Sequence, residues 1–215
     1  TAVGYARAAI SGRISHLLDL RGPSMTVDTA CSSSLYATHQ ACQSLWLGES
    51  RMALAGGVNL FLTPEGSLAL SRSGMMAADG CCKAFDARAD GFVRAEGAGA
   101  VLLRPLADAL ENGDRIYAVI RGSGISADGR DGGHMMAPGR LGLAQAMRDA
   151  YRRADLLPGE IDFLEAHGTG TAIGDPIEAA SLGDVMGEGR DPAHPLRISS
   201  IKGNIGHAES ASGMA

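Results

Sequence analysis

Three times along this chain an apolar, strand-like run gives way to a few small residues and then to a helix-like pattern. The first junction is Val27-Asp28-Thr29-Ala30-Cys31-Ser32-Ser33-Ser34, and the second is Glu165-Ala166-His167-Gly168-Thr169-Gly170-Thr171. The third is Lys202-Gly203-Asn204-Ile205-Gly206-His207. Repeated passage from strand through a small-residue turn to helix belongs to a layered α/β structure, where both element types bury one side. At each junction stands a residue that carries chemistry: one thiol and two imidazoles. A cysteine at a helix start meets oriented N–H groups that favour its thiolate, the reactive form.

Periodicity fills in the rest. Helical spacing runs from Ala2 to Leu18 with Ile10, Ile14, Leu17 and Leu18 on one side, and Gly22-Pro23 breaks it. Ser24 to Val27 reads as a buried strand. From Cys31 to Leu47, Leu35, Thr38, Cys42 and Leu45 follow the spacing of a core helix. Ala53 to Leu60 is a further strand, and Thr63 to Arg94 is irregular, with one short helix expected. Ala98–Leu103 and Ile116–Ile125 read as neighbouring strands joined by a helical turn at Ala107–Leu110. Leu143, Met147, Ala150, Tyr151 and Ala154 mark another helix, followed by a strand over Ile161–Leu164. Asp175-Pro176-Ile177-Glu178 reads as a helix start, with Asp175 as cap and Glu178 at the capping-box position. A last strand is expected at Ile198–Ser200 and a helix near His207. No linker divides the chain.

Composition narrows the class. Apolar residues at 45% and charged residues at 20% permit a substantial core. Aromatics at only 4% beside 30 glycines favour close backbone packing over large side chains. A net charge of −5, with no basic run, offers no attraction to nucleic acid or an anionic membrane. The charge-free stretch from Met52 to Pro64 is too short and too glycine-rich to span a bilayer. Four cysteines in 215 residues do not make a disulfide scaffold, which suits a reducing, cytoplasmic setting. The chain starts at Thr1 and stops within a helix-like run ending at Ala215, so both ends are expected to be cuts in a longer chain.

Each candidate has a plain structural reading as well. A single cysteine is by default a buried core thiol; Thr29 as cap and the serines after Cys31 argue for more, because first-turn N–H groups can hold an oxyanion too. His167 could be a loop histidine bonded to a carbonyl. His207 follows two glycines, where no structural need for imidazole is evident. Cys42 reads as core and the pair Cys81-Cys82 as incidental, while His16, His39, His134 and His194 read as structural. Gly122-Ser123-Gly124 mimics a dinucleotide fingerprint, but no helix can follow through Asp128-Gly129-Arg130-Asp131-Gly132-Gly133. Asp86–Gly91 hints at a calcium loop that Arg88 spoils. No cysteine pair has zinc spacing, and Met75-Met76 and Met135-Met136 read as gap fillers or substrate lining.

With these islands placed, the chain resembles the β-ketoacyl synthase (ketosynthase) domain of modular type I polyketide synthases, in the thiolase-like superfamily. Asp28 to Ser34 is similar to the family's nucleophile motif. Glu165 to Thr171 with Gly174-Asp175-Pro176-Ile177-Glu178 is similar to its first histidine motif, and Ser200 to His207 to its second. Order and spacing agree over essentially the whole chain. Gly170 resembles polyketide-type rather than stand-alone fatty-acid enzymes, and a second histidine resembles elongating synthases. Cys31 argues against glutamine-bearing loading variants.

The resemblance implies a thiolase-like layered αβαβα fold, incomplete at both ends, with residues 1–215 forming a partial ketosynthase domain. That piece would hold the end of the N-terminal half, with Cys31, and most of the C-terminal half, with both histidines. The family's domain has strands before the position of Thr1 and a glycine-rich segment after that of Ala215, which supplies a second oxyanion amide. The implied reaction is decarboxylative Claisen condensation of an acyl chain with a malonyl-type extender, both on acyl carrier protein. Cys31 would hold the acyl group; His167 and His207 would donate to the extender's thioester oxygen, and which contributes more to decarboxylation stays open. Lys202 would hold the site electrostatically, paired with Glu209, and Thr169 and Thr171 would bond the phosphopantetheine arm. No directly bound cofactor or metal is implied. A homodimer, with neighbouring acyltransferase and carrier domains, is. Competing readings are a fatty-acid-type elongating synthase, a catalytically silent acyl-binding scaffold, a Cys-His hydrolase and a coenzyme A-dependent thiolase.

Overall fold

Glycine and alanine set how closely the elements approach. The computed structural model describes residues 4, 6–133 and 137–215, so the expected helical positions 2, 3 and 5, and His134, Met135 and Met136, lie outside the described residues. The chain divides into two units: one of residues up to Asn59 with Gly97–Val119 and Glu209–Ala215, the other of Leu60–Glu96 and Ile120–Ala208.

In the first unit, α1 (Ala9–Leu17) precedes a 3-10 turn (Ala30–Ser32) that runs directly into α2 (Ser33–Trp46). Strand β1 (Ala53–Asn59) pairs antiparallel with β2 (Gly97–Leu103), from Ala53 opposite Leu103 to Asn59 opposite Gly97. Between these strands the chain passes through α3 (Glu65–Arg72) of the second unit, and α4 (Leu106–Glu111) follows β2. A Cβ on Gly57 would stand 2.8 Å from the Ser34 Cβ and 2.9 Å from the Ala211 Cα; one on Gly99 would stand 2.7 Å from the Met214 Cβ. Real Cβ atoms do not pack so closely. Glycine at both positions lets α2's first turn and the 3-10 segment Glu209–Met214 lie flat on the ribbon.

Besides α3, the second unit holds α5 (Arg140–Ala154), β3 (Phe163–Glu165), α6 (Gly174–Met186), β4 (Arg197–Ser199) and α7 (Lys202–Ile205). β3 and β4 are parallel, with Leu164 opposite Ile198. Its core joins Ala144 of α5 to Leu182, Val185 and Met186 of α6, with Met147, Tyr151, Ile161, Leu164 and Leu196 around them.

Several expectations change. Ser24–Val27 is not a strand: the Thr26 hydroxyl donates to the Arg7 carbonyl at 2.9 Å, and side chains rather than a ladder tie the segment to the α1 region. Ile116–Ile125 forms no ladder either, and β2 pairs with β1 instead. Gly122 and Gly124 instead lie on α5; a Cβ there would sit 2.4 Å and 2.0 Å from the carbonyl oxygens of Ala150 and Ala146. The glycines that mimic a nucleotide fingerprint are a helix-packing surface. The helix expected near His207 is a 3-10 segment, Glu209–Met214, that starts two residues on; α7 ends before His207, which forms an isolated parallel bridge with Arg94.

Candidate active site

The thiol arm belongs to the first unit. Ala30 adopts φ +55°, a left-handed conformation that costs a residue with a Cβ on the order of 1 kcal/mol, so the turn must be held by its surroundings. Hydroxyls do this. Ser32 Oγ donates to the Thr29 carbonyl at 2.9 Å, and Ser33 Oγ donates to that of Ala30 at 2.6 Å while accepting the Thr29 N–H at 2.9 Å. Thr29 therefore anchors the turn rather than capping α2; no side chain caps α2's own N-terminus. Ser212 Oγ donates to the Cys31 carbonyl at 3.1 Å, and Ser34 Oγ accepts the Gly213 N–H at 2.9 Å. The result is a partly buried cysteine, outside any disulfide, just ahead of the first-turn amides of α2. Glu209 also lies in this unit and takes φ +44°.

The histidine arm belongs to the second unit. β3 delivers His167, and the loop after it is clamped by acidic side chains of α6. The Glu178 carboxylate accepts the N–H groups of His167 and Gly168 at 2.7 and 2.8 Å. Asp175, 3% exposed, accepts those of Gly170 and Thr171 at 3.1 and 3.2 Å and, through its other oxygen, that of Phe85 at 2.6 Å. Asp175 and Glu178 thus do not cap their own helix as the sequence pattern suggests. α6 begins at Gly174, and these carboxylates satisfy the His167 loop instead. Thr169 is buried and its hydroxyl lies 3.3 Å from that of Thr171, which accepts the Gly174 N–H. From β4's end, Ser200 Oγ donates to the Gly168 carbonyl at 2.8 Å, and Glu165 accepts the Ile201 N–H.

His207 is held through its backbone. Its N–H donates to the Val93 carbonyl at 2.7 Å and its carbonyl accepts the Ala95 N–H at 2.9 Å. Gly206, at φ +77°, permits the turn from α7 into this bridge. The ring lies edge-on to Phe92 at 5.1 Å and to His167 at 5.3 Å, the latter with an interplanar angle of 86°. Lys202 is buried at the head of α7. Burial first, then the Lys202 charge, pushes His167 down to about 4, with Asp175 pulling the other way. Burial, then His167, then Lys202, pushes His207 down to about 3. His207, 1% exposed, bears the larger depression; His167 still opens to water on one side. Both rings are therefore neutral at pH 7, each with one N–H to donate and one lone pair.

Of the residues named from sequence, this unit brings His167, His207 and Lys202 into one electrostatic group and joins Thr169 to Thr171. Sequence reasoning missed the clamping role of Glu178 and Asp175, and it missed Cys82. Cys82 is buried, and its Sγ accepts the Val93 N–H at 3.1 Å, beside the carbonyl that holds His207. The acidic pair's spacing from His167 was a usable signal; nothing in the sequence flags Cys82. Cys42 is core as expected, with burial raising its thiol. Neither unit by itself gathers three metal-ligating side chains among the described residues. No helix of the described residues is long and apolar enough to cross a membrane.

Comparison with known proteins decides the family. Residues 1–109 match the β-ketoacyl synthase N-terminal domain and residues 117–215 its C-terminal domain. This chain belongs to the β-ketoacyl synthase family. It is 52% identical over 212 residues to one of the phenolphthiocerol/phthiocerol polyketide synthase subunits of Mycobacterium tuberculosis, covering 99% of this chain and 11% of that protein. Another subunit of the same synthase is 50% identical, with 99% and 14% covered. The ketosynthase from module 6 of the bacillaene synthase of Bacillus subtilis 168 superposes with a TM-score of 0.94 at 45% identity, over 98% of this chain and 38% of that one. The oxazolomycin ketosynthase domain from Streptomyces albus JA3453 gives 0.93 at 41% identity, over 97% and 36%. The β-ketoacyl synthase chain thus has the thiolase-like fold expected of it and spans well under half of these relatives' length.

Proposed function

We propose that this chain is the central part of a polyketide-synthase ketosynthase that condenses a Cys31-bound acyl group with a malonyl-type extender. The observation that carries the reading is the neutral imidazole pair, His167 and His207, with rings 5.3 Å apart beside buried Lys202. Two adjacent neutral N–H donors suit an oxygen that gains negative charge, whereas a hydrolase needs a histidine basic enough to take a proton near pH 7, which rings held down at about 4 and about 3 are not. Residues 1–215 are read as one partial ketosynthase domain acting within a longer, cytoplasmic, homodimeric chain with acyltransferase and carrier domains.

In this reading the Cys31 thiolate attacks the incoming thioester carbonyl, releasing the carrier thiol and leaving an acyl-enzyme. The extender arrives on the phosphopantetheine arm of a carrier protein, which Thr169 and Thr171 contact. As the extender's carboxylate departs as carbon dioxide, its electron pair forms an enolate whose oxygen accepts N–H groups from His167 and His207. The enolate carbon then attacks the Cys31 acyl carbonyl; the carbon–sulfur bond breaks and the thiolate is regenerated. Burial keeps both rings neutral, and the positive charge of Lys202 adds to that effect.

The test is product formation by the full-length protein from acyl- and malonyl-carrier substrates. A new carbon–carbon bond, lost in Cys31→Ala together with acyl loading, supports the reading. Release of free acid without a new bond would favour a hydrolase. Iodoacetamide labelling near neutral pH must be mapped to the Cys31 peptide, because Cys81 is exposed and reacts as well.

A further inference from the structure

Both imidazoles hang on one backbone segment. The Gly91 N–H donates to the Gly170 carbonyl at 2.9 Å in the His167 loop, and two residues on, the Val93 carbonyl accepts the His207 N–H. Phe92 between them packs its ring against His207. Val93 is therefore the strut that sets the height of His207. Its carbonyl and its N–H lie in two successive peptide planes, so the strut turns about the Val93 backbone dihedrals unless the plane ahead of it is fixed too. There the Phe92 carbonyl accepts the Ala77 N–H at 3.0 Å, and the Val93 N–H is the other end.

That N–H points at sulfur. Cys82 is 8% exposed, and its Sγ receives the Val93 N–H at 3.1 Å, a short contact for so large an acceptor atom. We propose that Cys82 is a positioning residue for the His207 imidazole, acting through the Val93 backbone, whose N–H it accepts and whose carbonyl holds His207. The chain runs Cys82 Sγ, Val93 N–H, Val93 carbonyl, His207 N–H, with no side chain free to rotate in its last three links. Buried thiols are ordinarily mere packing, and the directed hydrogen bond separates this one from them. Removing the sulfur leaves a partly buried N–H without its acceptor and lets the strut tilt, and small displacements of a catalytic group are costly in rate.

The inference rests on the proposed condensation, and the experiment separates the two. In the full-length protein, Cys82→Ala, Cys82→Val and Cys82→Ser are compared with wild type for acyl loading, extender decarboxylation and condensation. The expected result is normal loading at Cys31, a condensation kcat lower by roughly tenfold in the alanine and valine variants, and an unchanged KM for malonyl carrier. Serine, which keeps an acceptor on a shorter bond, restores part of the loss. Wild-type kcat in the alanine variant overturns the positioning role. So does parallel loss of loading and condensation in all three variants, which would make Cys82 a packing residue. Absence of any carbon–carbon bond from wild type would instead overturn the condensation reading itself.

Discussion

Glu178 reaches back eleven positions to hold His167: one carboxylate oxygen takes the His167 N–H at 2.7 Å and the other the Gly168 N–H at 2.8 Å. A fork of this kind fixes a peptide plane, and with it the direction in which the imidazole leaves the backbone. Charged acceptors make such bonds about twice as strong as neutral ones.

Replacing that fork tests how much of the chemistry depends on the direction of one ring. Glu178→Gln keeps the shape and loses one acceptor, since an amide nitrogen cannot receive an N–H. Condensation by the full-length protein is expected to fall about ten- to a hundredfold with acyl loading at Cys31 retained. Glu178→Ala leaves two N–H groups without acceptors and should cost roughly 2 kcal/mol or more in stability. A Gln variant with wild-type turnover would mean that the loop holds its shape without the fork.

Gly170 answers to a different constraint. Its φ is +83°, and a Cβ would stand 2.6 Å from the Lys83 backbone nitrogen. Lys83 cannot retreat easily, because its ammonium bridges Asp79 and Asp90 at 2.7 Å each. Gly170→Ser is therefore expected to destabilise the His167 loop by about 1–3 kcal/mol, seen as faster hydrogen exchange in its peptide. Unchanged exchange would place the tolerance in the Lys83 segment.

How much of this was legible beforehand follows from the same residues. Cys31, His167 and His207 stand out because thiol and imidazole are rare among the small residues that surround them. β1, α4, α5 and the ends of β3 and β4 follow from local periodicity. The two expected strands that do not form, Ser24–Val27 and Ile116–Ile125, fail because a strand is defined by its neighbour, and apolar alternation does not name one. Asp175 and Glu178 look like a helix cap because capping is local, while their actual partners, the loop of His167 and Phe85, are set by tertiary packing. Cys82 has no local signal at all, since its role is given by a backbone N–H eleven residues away.

Removing His207 separates the two half-reactions. Loading at Cys31 needs no extender enolate, so His207→Ala is expected to form the acyl-enzyme and to lose condensation by at least a hundredfold. His207→Asn, which keeps one N–H donor, should retain more activity than alanine. Condensation by His207→Ala at the wild-type rate would remove the second histidine from the mechanism.

The pH dependence follows from the depressed histidines. An unfolded histidine titrates near 6.5, whereas His167 and His207 titrate near 4 and 3 in the folded protein. Below pH 6.5 the unfolded state takes up protons that the folded state refuses, so stability falls as pH falls, by up to roughly 1.4 kcal/mol per pH unit for buried His207 and by less for His167, whose exposed ring is screened by water. The contribution is complete above about pH 7, drains away between 6.5 and the folded values, and is gone below them. Hydrogen exchange of the 167–170 and 202–207 peptides in the full-length protein, corrected for intrinsic rates, should accelerate through that window. Condensation from pre-acylated enzyme should show no titration near pH 6.5, because neither ring gains its proton there. A tenfold fall between pH 6.5 and 5.5 that His207→Asn abolishes would mean that His207 is an ordinary, solvated imidazole and that its burial does not control its charge.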